Sequence, residues 1–239
     1  MTQGIHQLTA SMVNQLNRVD LVSNNLANAN TVGFKEDSLS EGSFNNYLSK
    51  AVEDKEDISK LSYIMNTIPK IDNNYINTNM GAVSQTGNKL DFALTQKDTY
   101  FKIQSQNGDI QLTRDGAFKI LDNNLVTKNG DKVLDNNNEP IVVDNDSFYQ
   151  NVAVVKTDIK NLNKIGDNNY KIKDNNSLEL VNNNRDYILQ GSIERSNVNT
   201  IKTMVELIEA QRKFEQAQKA IAGIDDIDKK VISDVGTSR

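Results

Sequence analysis

From Ser196 to Ile232 the chain reads SNVNTIKTMVELIEAQRKFEQAQKAIAGIDDIDKKVI. Leu207, Phe214 and Ile221 recur every seven residues. Ala210, Ala217, Ile224 and Val231 recur every seven on the neighbouring position. This is the apolar pattern of a coiled-coil seam about four heptads long. The small alanines admit close approach of a second helix. Ser196 or Asn197 suits the N-cap. Gly223, which costs about 1 kcal/mol relative to Ala inside a helix, marks a candidate bend or early end.

The opposite end carries a matching helix. Ile5, Leu8, Met12, Leu16, Val19, Val22 and Leu26 are spaced by threes and fours, a narrow amphipathic stripe. The helix should stop near Asn28–Thr31, with Gly33 as the break. The first 35 residues carry three charges, Arg18, Asp20 and Lys35. A helix that wears Asn, Gln, Ser and Thr in place of charges is either an ordinary one with a neutral polar face or one that will be surrounded by protein. Residues 1–35 sum to +1, residues 191–239 to zero and the whole chain to −5, so the middle supplies −6.

That middle has a different texture. Apolar or β-branched runs recur at Leu90–Leu94, Tyr100–Gln104, Ile110–Thr113, Ala117–Ile120, Val133–Leu134, Ile141–Val143, Val152–Val155, Tyr170–Ile172, Leu178–Val181 and Tyr187–Leu189. Asn107-Gly108, Asp115-Gly116 and Asn129-Gly130 divide them as hairpin turns. The pattern predicts an all-β sandwich or barrel-like domain. The fold class is α+β: residues 1–35 form an N-terminal helix, 36–80 a connector, 81–190 the β-domain and 191–239 a C-terminal helix. The connector holds a possible short helix at Lys50–Lys60 and an extended stretch after Pro69. The two terminal helices are expected to pair with each other in coiled-coil fashion.

Composition narrows the chemistry. The 239 residues suffice for one large or two modest domains. Hydrophobic residues are 37% and aromatics 6%, with no Trp, which is lean for a compact enzyme and too apolar for a disordered chain. There is no Cys and one histidine, His6, which is off the apolar stripe and expected in solvent. Thiol chemistry and multi-His metal sites are thereby excluded. The acidic balance opposes nucleic-acid binding, and no apolar run approaches the roughly 20 residues that span a bilayer. Residues 1–20 have neither the basic nor the apolar region of a secretory signal. Either cytoplasmic residence or export by a machine that uses no such signal is expected. Clusters at Asp135–Glu139, Asp144–Asp146 and Asp167–Asn169 lack the full calcium-loop pattern, and turn chemistry accounts for them better. Carboxylate pairs such as Asp54 with Asp57 or Asp225 with Asp226 lie in polar segments and give no glycosidase site. The 34 asparagines suit turns or an AT-rich genome.

Two stretches are more specific. Residues 24–35 read NNLANANTVGFK, after Arg18-Val19-Asp20-Leu21-Val22-Ser23. They closely resemble the signature of the bacterial flagellar rod and hook axial proteins. Ser196-Asn197-Val198-Asn199, followed by Met204–Arg212 and Phe214, resembles that family's C-terminal signature. Gln85–Leu94, Arg114–Phe118 and Leu125–Gly130 resemble its β-domain entry and hairpins. Lys97-Asp98-Thr99-Tyr100-Phe101 departs from the family's glycine-rich turn, and the tail after Gly223 is atypical. Length and the missing glycine-rich insertion make the chain most similar to the proximal rod member that adjoins the distal rod.

The resemblance implies a structural, non-enzymatic subunit of the basal-body rod, without cofactor, metal, nucleic acid or membrane insertion. It implies polymerisation into an axial driveshaft that carries torque across the periplasm. The expected partners are further copies, other rod proteins, the flagellar type III export apparatus and surrounding ring proteins. The residues expected at subunit interfaces are Leu16, Val19, Asn24, Asn25, Leu26, Asn28, Gly33 and Phe34, with Asn197, Val198, Glu209, Gln211, Arg212 and Phe214. The helices of a free monomer should fray. A distal rod subunit is the alternative within the family. Outside it stand an adhesin-like binding module on a helical stalk and, more remotely, a peptidoglycan hydrolase.

Overall fold

The computed structural model describes residues 2–41, 71–144, 147–173, 178–181 and 184–237. The expected helix at Lys50–Lys60, Pro69 and the Asp54/Asp57 pair lie outside these residues, as does the side chain of His6. Helix α1 spans Thr2–Ala27 and helix α2 spans Thr200–Thr237. Between them run fifteen described strands. The first seven are β1 Asp37–Glu41, β2 Ile71–Ile76, β3 Val83–Gln85, β4 Phe92–Leu94, β5 Thr99–Gln104, β6 Ile110–Thr113 and β7 Lys119–Leu121. The next four are β8 Asn124–Val126, β9 Lys132–Val133, β10 Val154–Lys156 and β11 Leu162–Gly166. The last four are β12 Asn169–Ile172, β13 Glu179–Leu180, β14 Ile188–Gln190 and β15 Ser192–Glu194.

The chain divides into two compact units. The first comprises residues 1–26, 37–75 and 200–239, and the second residues 27–36 and 76–199. The class is α+β. In the first unit, the heptad positions of α2 as far as Ile224 are among its least exposed, while Val231 is exposed. Thr203, Ala210 and Ala217 are buried, and Leu207, Phe214, Ile221 and Ile224 are half-buried. Spacings of four and three along this row are what an apolar seam requires. Among the described residues of α1, Val22 and Asn25 are buried, and β1 pairs with β2.

In the second unit nine strands form one sheet, in the order β11-β12-β6-β5-β9-β8-β7, with β10 on β5 and β13 on β10. Strand β5 alternates sides, as pleating dictates. Phe101 and Ile103 enter a core with Phe92, Phe118, Leu125, Val133 and Phe148. Tyr100 enters a second core with Leu112, Val155, Leu162 and Tyr170. Aromatic edges meet faces in both: Phe101–Phe118 at 5.3 Å and Tyr100–Tyr170 at 5.5 Å between centroids. Two-stranded ladders β4–β14 and β3–β15 complete the unit.

The structure corrects several local expectations. Helix α2 starts at Thr200, because Asn197 is engaged elsewhere, and it passes through Gly223 without ending. Strands β1, β3, β8, β11 and β15 were not predicted. The hairpins of β8 and β11 turn on Asp122-Asn123 and Asp167-Asn168, all four at positive φ (48° to 64°), with Gly166 also at positive φ before the second, and β15 follows Gly191 at φ 75°. Gly116 is not a hairpin residue. A Cβ there would stand 1.8 Å from the Phe92 carbonyl oxygen, so its role is close approach to β4. Val142 pairs with Asn124, and Pro140 with Leu134, through single bridges. Asp135 Oδ1 accepts from the amides of Asn137 and Glu139, both at 2.8 Å, which is turn chemistry. Among the described residues no three His, Asp or Glu side chains gather as a metal site, and no helix is long and apolar enough to cross a membrane.

Candidate functional site

Residues 27–36 leave α1 and belong to the second unit. Asn28 makes the first turn: its carbonyl accepts from the Thr31 amide at 3.1 Å, and its Oδ1 from the Thr31 hydroxyl at 3.1 Å. Gly33 sits at φ 66°, and its amide donates to the Glu194 carbonyl at 2.7 Å. A Cβ on Gly33 would lie 2.4 Å from the Arg114 carbonyl oxygen, so backbone touches backbone here. Phe34 is buried with the Lys164 ammonium 4.1 Å above its ring, a cation–π contact. Asn168 Nδ2 holds the Val32 carbonyl at 2.8 Å.

Next to Phe34, three charges are buried together. Lys35, Arg114 and Glu194 are 3%, 2% and 1% exposed. Glu194 Oε1 accepts from Lys35 Nζ at 2.7 Å and from the Gly81 amide at 2.8 Å. Glu194 Oε2 accepts from Arg114 Nε at 2.8 Å and Nη2 at 2.6 Å. Arg114 Nη1 donates to the Gln96 and Thr99 carbonyls, and Lys35 Nζ to the Asn79 carbonyl at 2.8 Å. Burial pulls the Lys35 ammonium below its usual range, and the Arg114 charge adds to this against the opposing pull of Glu194. Burial alone would push the Glu194 carboxyl up. The charges of Arg114 and Lys35, with the hydrogen bonds from Lys35 and Gly81, outweigh it and hold the carboxyl below the usual range. Both carboxylate oxygens are committed to fixed donors, so the triad is built to hold chain segments together rather than to exchange protons.

Asn197 closes the same region from outside. Its Oδ1 accepts from the Glu36 amide at 2.8 Å, and its Nδ2 donates to the carbonyls of Asn77 and Asn79 at 2.8 and 2.9 Å. Its own amide donates to the Phe34 carbonyl. Asn77 completes the ring, donating its amide to the Glu36 carbonyl at 2.8 Å and its Nδ2 to Glu36 Oε2 at 3.2 Å. Residues 36, 77 and 197 stand just inside the points where the chain passes between its units. One asparagine therefore laces three such segments.

The residues expected at interfaces fall into two groups. Gly33, Phe34 and Asn197 meet in this clasp, with Asn28 in the turn beside it. Asn25 is spent within the first unit, where Oδ1 accepts from the Asp37 amide and Nδ2 donates to its carbonyl. Val19, Leu26, Val198 and Phe214 are half-buried, whereas Leu16, Asn24, Glu209, Gln211 and Arg212 are exposed. Lys35, Arg114 and Glu194 were missed as a site. Arg114 and Lys35 sit inside recognisable motifs, but no spacing links them to Glu194.

Comparisons with known proteins match three stretches of the chain to family models. Residues 10–35 match the flagella basal body rod protein model. Residues 96–160 match the flagellar hook protein FlgE/F/G D1 domain, and residues 189–234 the flagellar basal body rod FlgEFG protein C-terminal. The chain is similar to the flagellar hook-basal body complex protein FlhO of Bacillus subtilis, at 28% identity over 99% of each chain. It is similar to the flagellar basal-body rod protein FlgF of Mesorhizobium japonicum, at 30% identity over 83% of each. The flagellar basal-body rod protein FlgG of Borreliella burgdorferi is 29% identical, over 95% of this chain and 96% of its own length. Each matched stretch contributes one charge to the buried triad: Lys35, Arg114 and Glu194.

Proposed function

This chain belongs to the flagellar basal-body rod protein family and is a structural subunit of that rod, and from this premise we propose how it is joined to its neighbours and carries torque. The terminal helices pack against those of further copies and of other rod proteins. The seam of α2 is used in part within the first unit, where its heptad positions from Leu207 to Ile224 are buried or half-buried. A second apolar row remains open: Ile201 at 78%, Met204 at 48%, Val205 at 51% and Ile208 at 50% exposure. These positions recur at helical spacing, and a contiguous exposed apolar row of this kind is a protein-interaction surface. Glu209, Gln211 and Arg212, also exposed, supply polar contacts around it.

The observation that carries the reading is the triad. Each family-matched stretch gives it one charge, and backbone groups of Gly33, Gly81, Gln96 and Thr99 are tied into the same cluster. Such a junction resists shear between its segments, which suits a shaft subunit under torque. Residence in the periplasmic part of the basal body and passage through the flagellar export apparatus complete the proposal. Surrounding ring proteins are further candidate neighbours.

Basal bodies purified from source cells with and without the gene test this. Mass spectrometry should find the chain in the wild-type particles, and electron microscopy should show an incomplete rod in its absence. An intact rod from cells lacking the gene would overturn the proposed role.

A further inference from the structure

A pocket of about 520 Å³ opens on the second unit, away from the clasp residues, lined by Lys102, Gly108, Ile110, Asn138, Ile172 and Leu178, with Asp109 and Lys171 at its edge. Lys102 is the unexpected member. It stands on β5, flanked by β6 and β9, opposite Leu112 in register. It shares a strand face with Tyr100, and Leu112 and Tyr170 of that second core are fully buried. Only 7% of Lys102 is exposed. Among the described residues no hydrogen bond or ion pair reaches its ammonium. Burial lowers its affinity for a proton, and Asp135 opposes this only through its field.

A lysine in such a place carries the cost of burying a charge without a partner, and sheet-core positions are otherwise apolar. We infer that this pocket is a binding site for a carboxylate carried on a short apolar stem, with Lys102 as its counter-charge. The stem would lie against Ile110, Ile172 and Leu178. The volume falls within the range of small-ligand pockets. A monoanion suits it better than a phosphate: one buried ammonium meets one negative charge, whereas Asp109 and Asp135 would repel a second. Lys171 is turned to Asp109 at 3.9 Å in a solvated rim pair and adds little. The carboxylate has two possible sources, a free short-chain acid or an acidic side chain of a neighbouring chain.

The test uses the full-length protein and two arms. In the first, hexanoate and acetate are titrated while the methyl resonances of Ile110, Ile172 and Leu178 are followed by NMR. Hexanoate should shift them saturably, acetate about tenfold more weakly, and Lys102→Met should weaken hexanoate by about tenfold or more, as loss of a charge-assisted contact implies. Ile103, in the other core, reports that the variant is folded. In the second arm, purified basal bodies are treated with a carbodiimide, and a Lys102 amide to a carboxylate of another chain is sought by mass spectrometry. Hexanoate binding lost in Lys102→Met supports the free acid. A Lys102 cross-link without hexanoate binding supports the protein side chain. Neither signal, or hexanoate binding unchanged in Lys102→Met, overturns the inference.

Discussion

The clasp of the second unit and the open row on α2 treat unfavourable groups in opposite ways. Lys35, Arg114 and Glu194 are at most 3% exposed and paired with one another within one chain. Ile201, Met204, Val205 and Ile208 are apolar and at least 48% exposed. Folding completes the first region, while the second stays incomplete in a single copy. Charge removed from water demands its partners at once, because the desolvation penalty is several kcal/mol per ion. Apolar surface left in water costs only about 25 cal/mol per Å², so it can wait for a neighbour.

The comparison breaks most visibly at Glu194. Glu194→Gln leaves two buried cations facing each other and should destabilise the second unit by about 3–5 kcal/mol, read as a lower denaturant midpoint. Gly33→Ala comes next. Positive φ and a Cβ at 2.4 Å from the Arg114 carbonyl should cost about 1–3 kcal/mol, measured by the same unfolding curves. Asn197→Ala removes three side-chain hydrogen bonds and should cost about 1–3 kcal/mol. Hydrogen exchange at the Glu36 amide should then speed up. Val205→Asp should change monomer stability by no more than about 0.5 kcal/mol, yet reduce the rods counted by electron microscopy.

Acid sharpens the same contrast. The folded pKa of Glu194 lies below its unfolded value, so the unfolded state binds more protons as pH falls. Its contribution is full above the unfolded carboxyl range and is lost as pH drops through the folded pKa. Lys35 has a lowered pKa too, so it contributes a stability that rises with pH from its folded pKa towards 10.5. Between pH 3 and 7, unfolding free energy should rise more steeply with pH in wild type than in Glu194→Gln, whose side chain does not titrate.

The helices were legible because packing itself has a period: burial on α2 follows Thr203, Leu207, Ala210, Phe214 and Ala217, close to the heptads in the sequence. The α1 stop at Ala27 was legible for the same reason, with Asn28 turning the chain. Strand β8 was hidden because Asp122 and Asn123 supply positive φ where glycine was sought. Asn197 has the chemistry of an N-cap, and local reasoning assigned it to the helix that follows. The structure gives it to Glu36, Asn77 and Asn79, partners more than a hundred residues away. Glu194 drew no notice in the sequence, because nothing local distinguishes a solvated glutamate from one that meets Lys35 and Arg114.

Separation along the chain also sets an order of events in time. Lys35 meets a partner 159 residues downstream, and Arg114 meets the same carboxylate 80 residues downstream. At about 5–20 residues per second, a ribosome needs about 8–30 s after making Lys35 before Glu194 exists. Lys35 lacks its counter-charge throughout that interval, and Arg114 from its own synthesis onward, and the contact that unites them is among the most non-local of the described residues. Closing the triad is thus a late folding step. A finished clasp records that translation has reached the end of the β unit, and a chain truncated before residue 194 is marked by two buried-to-be cations with nothing to neutralise them.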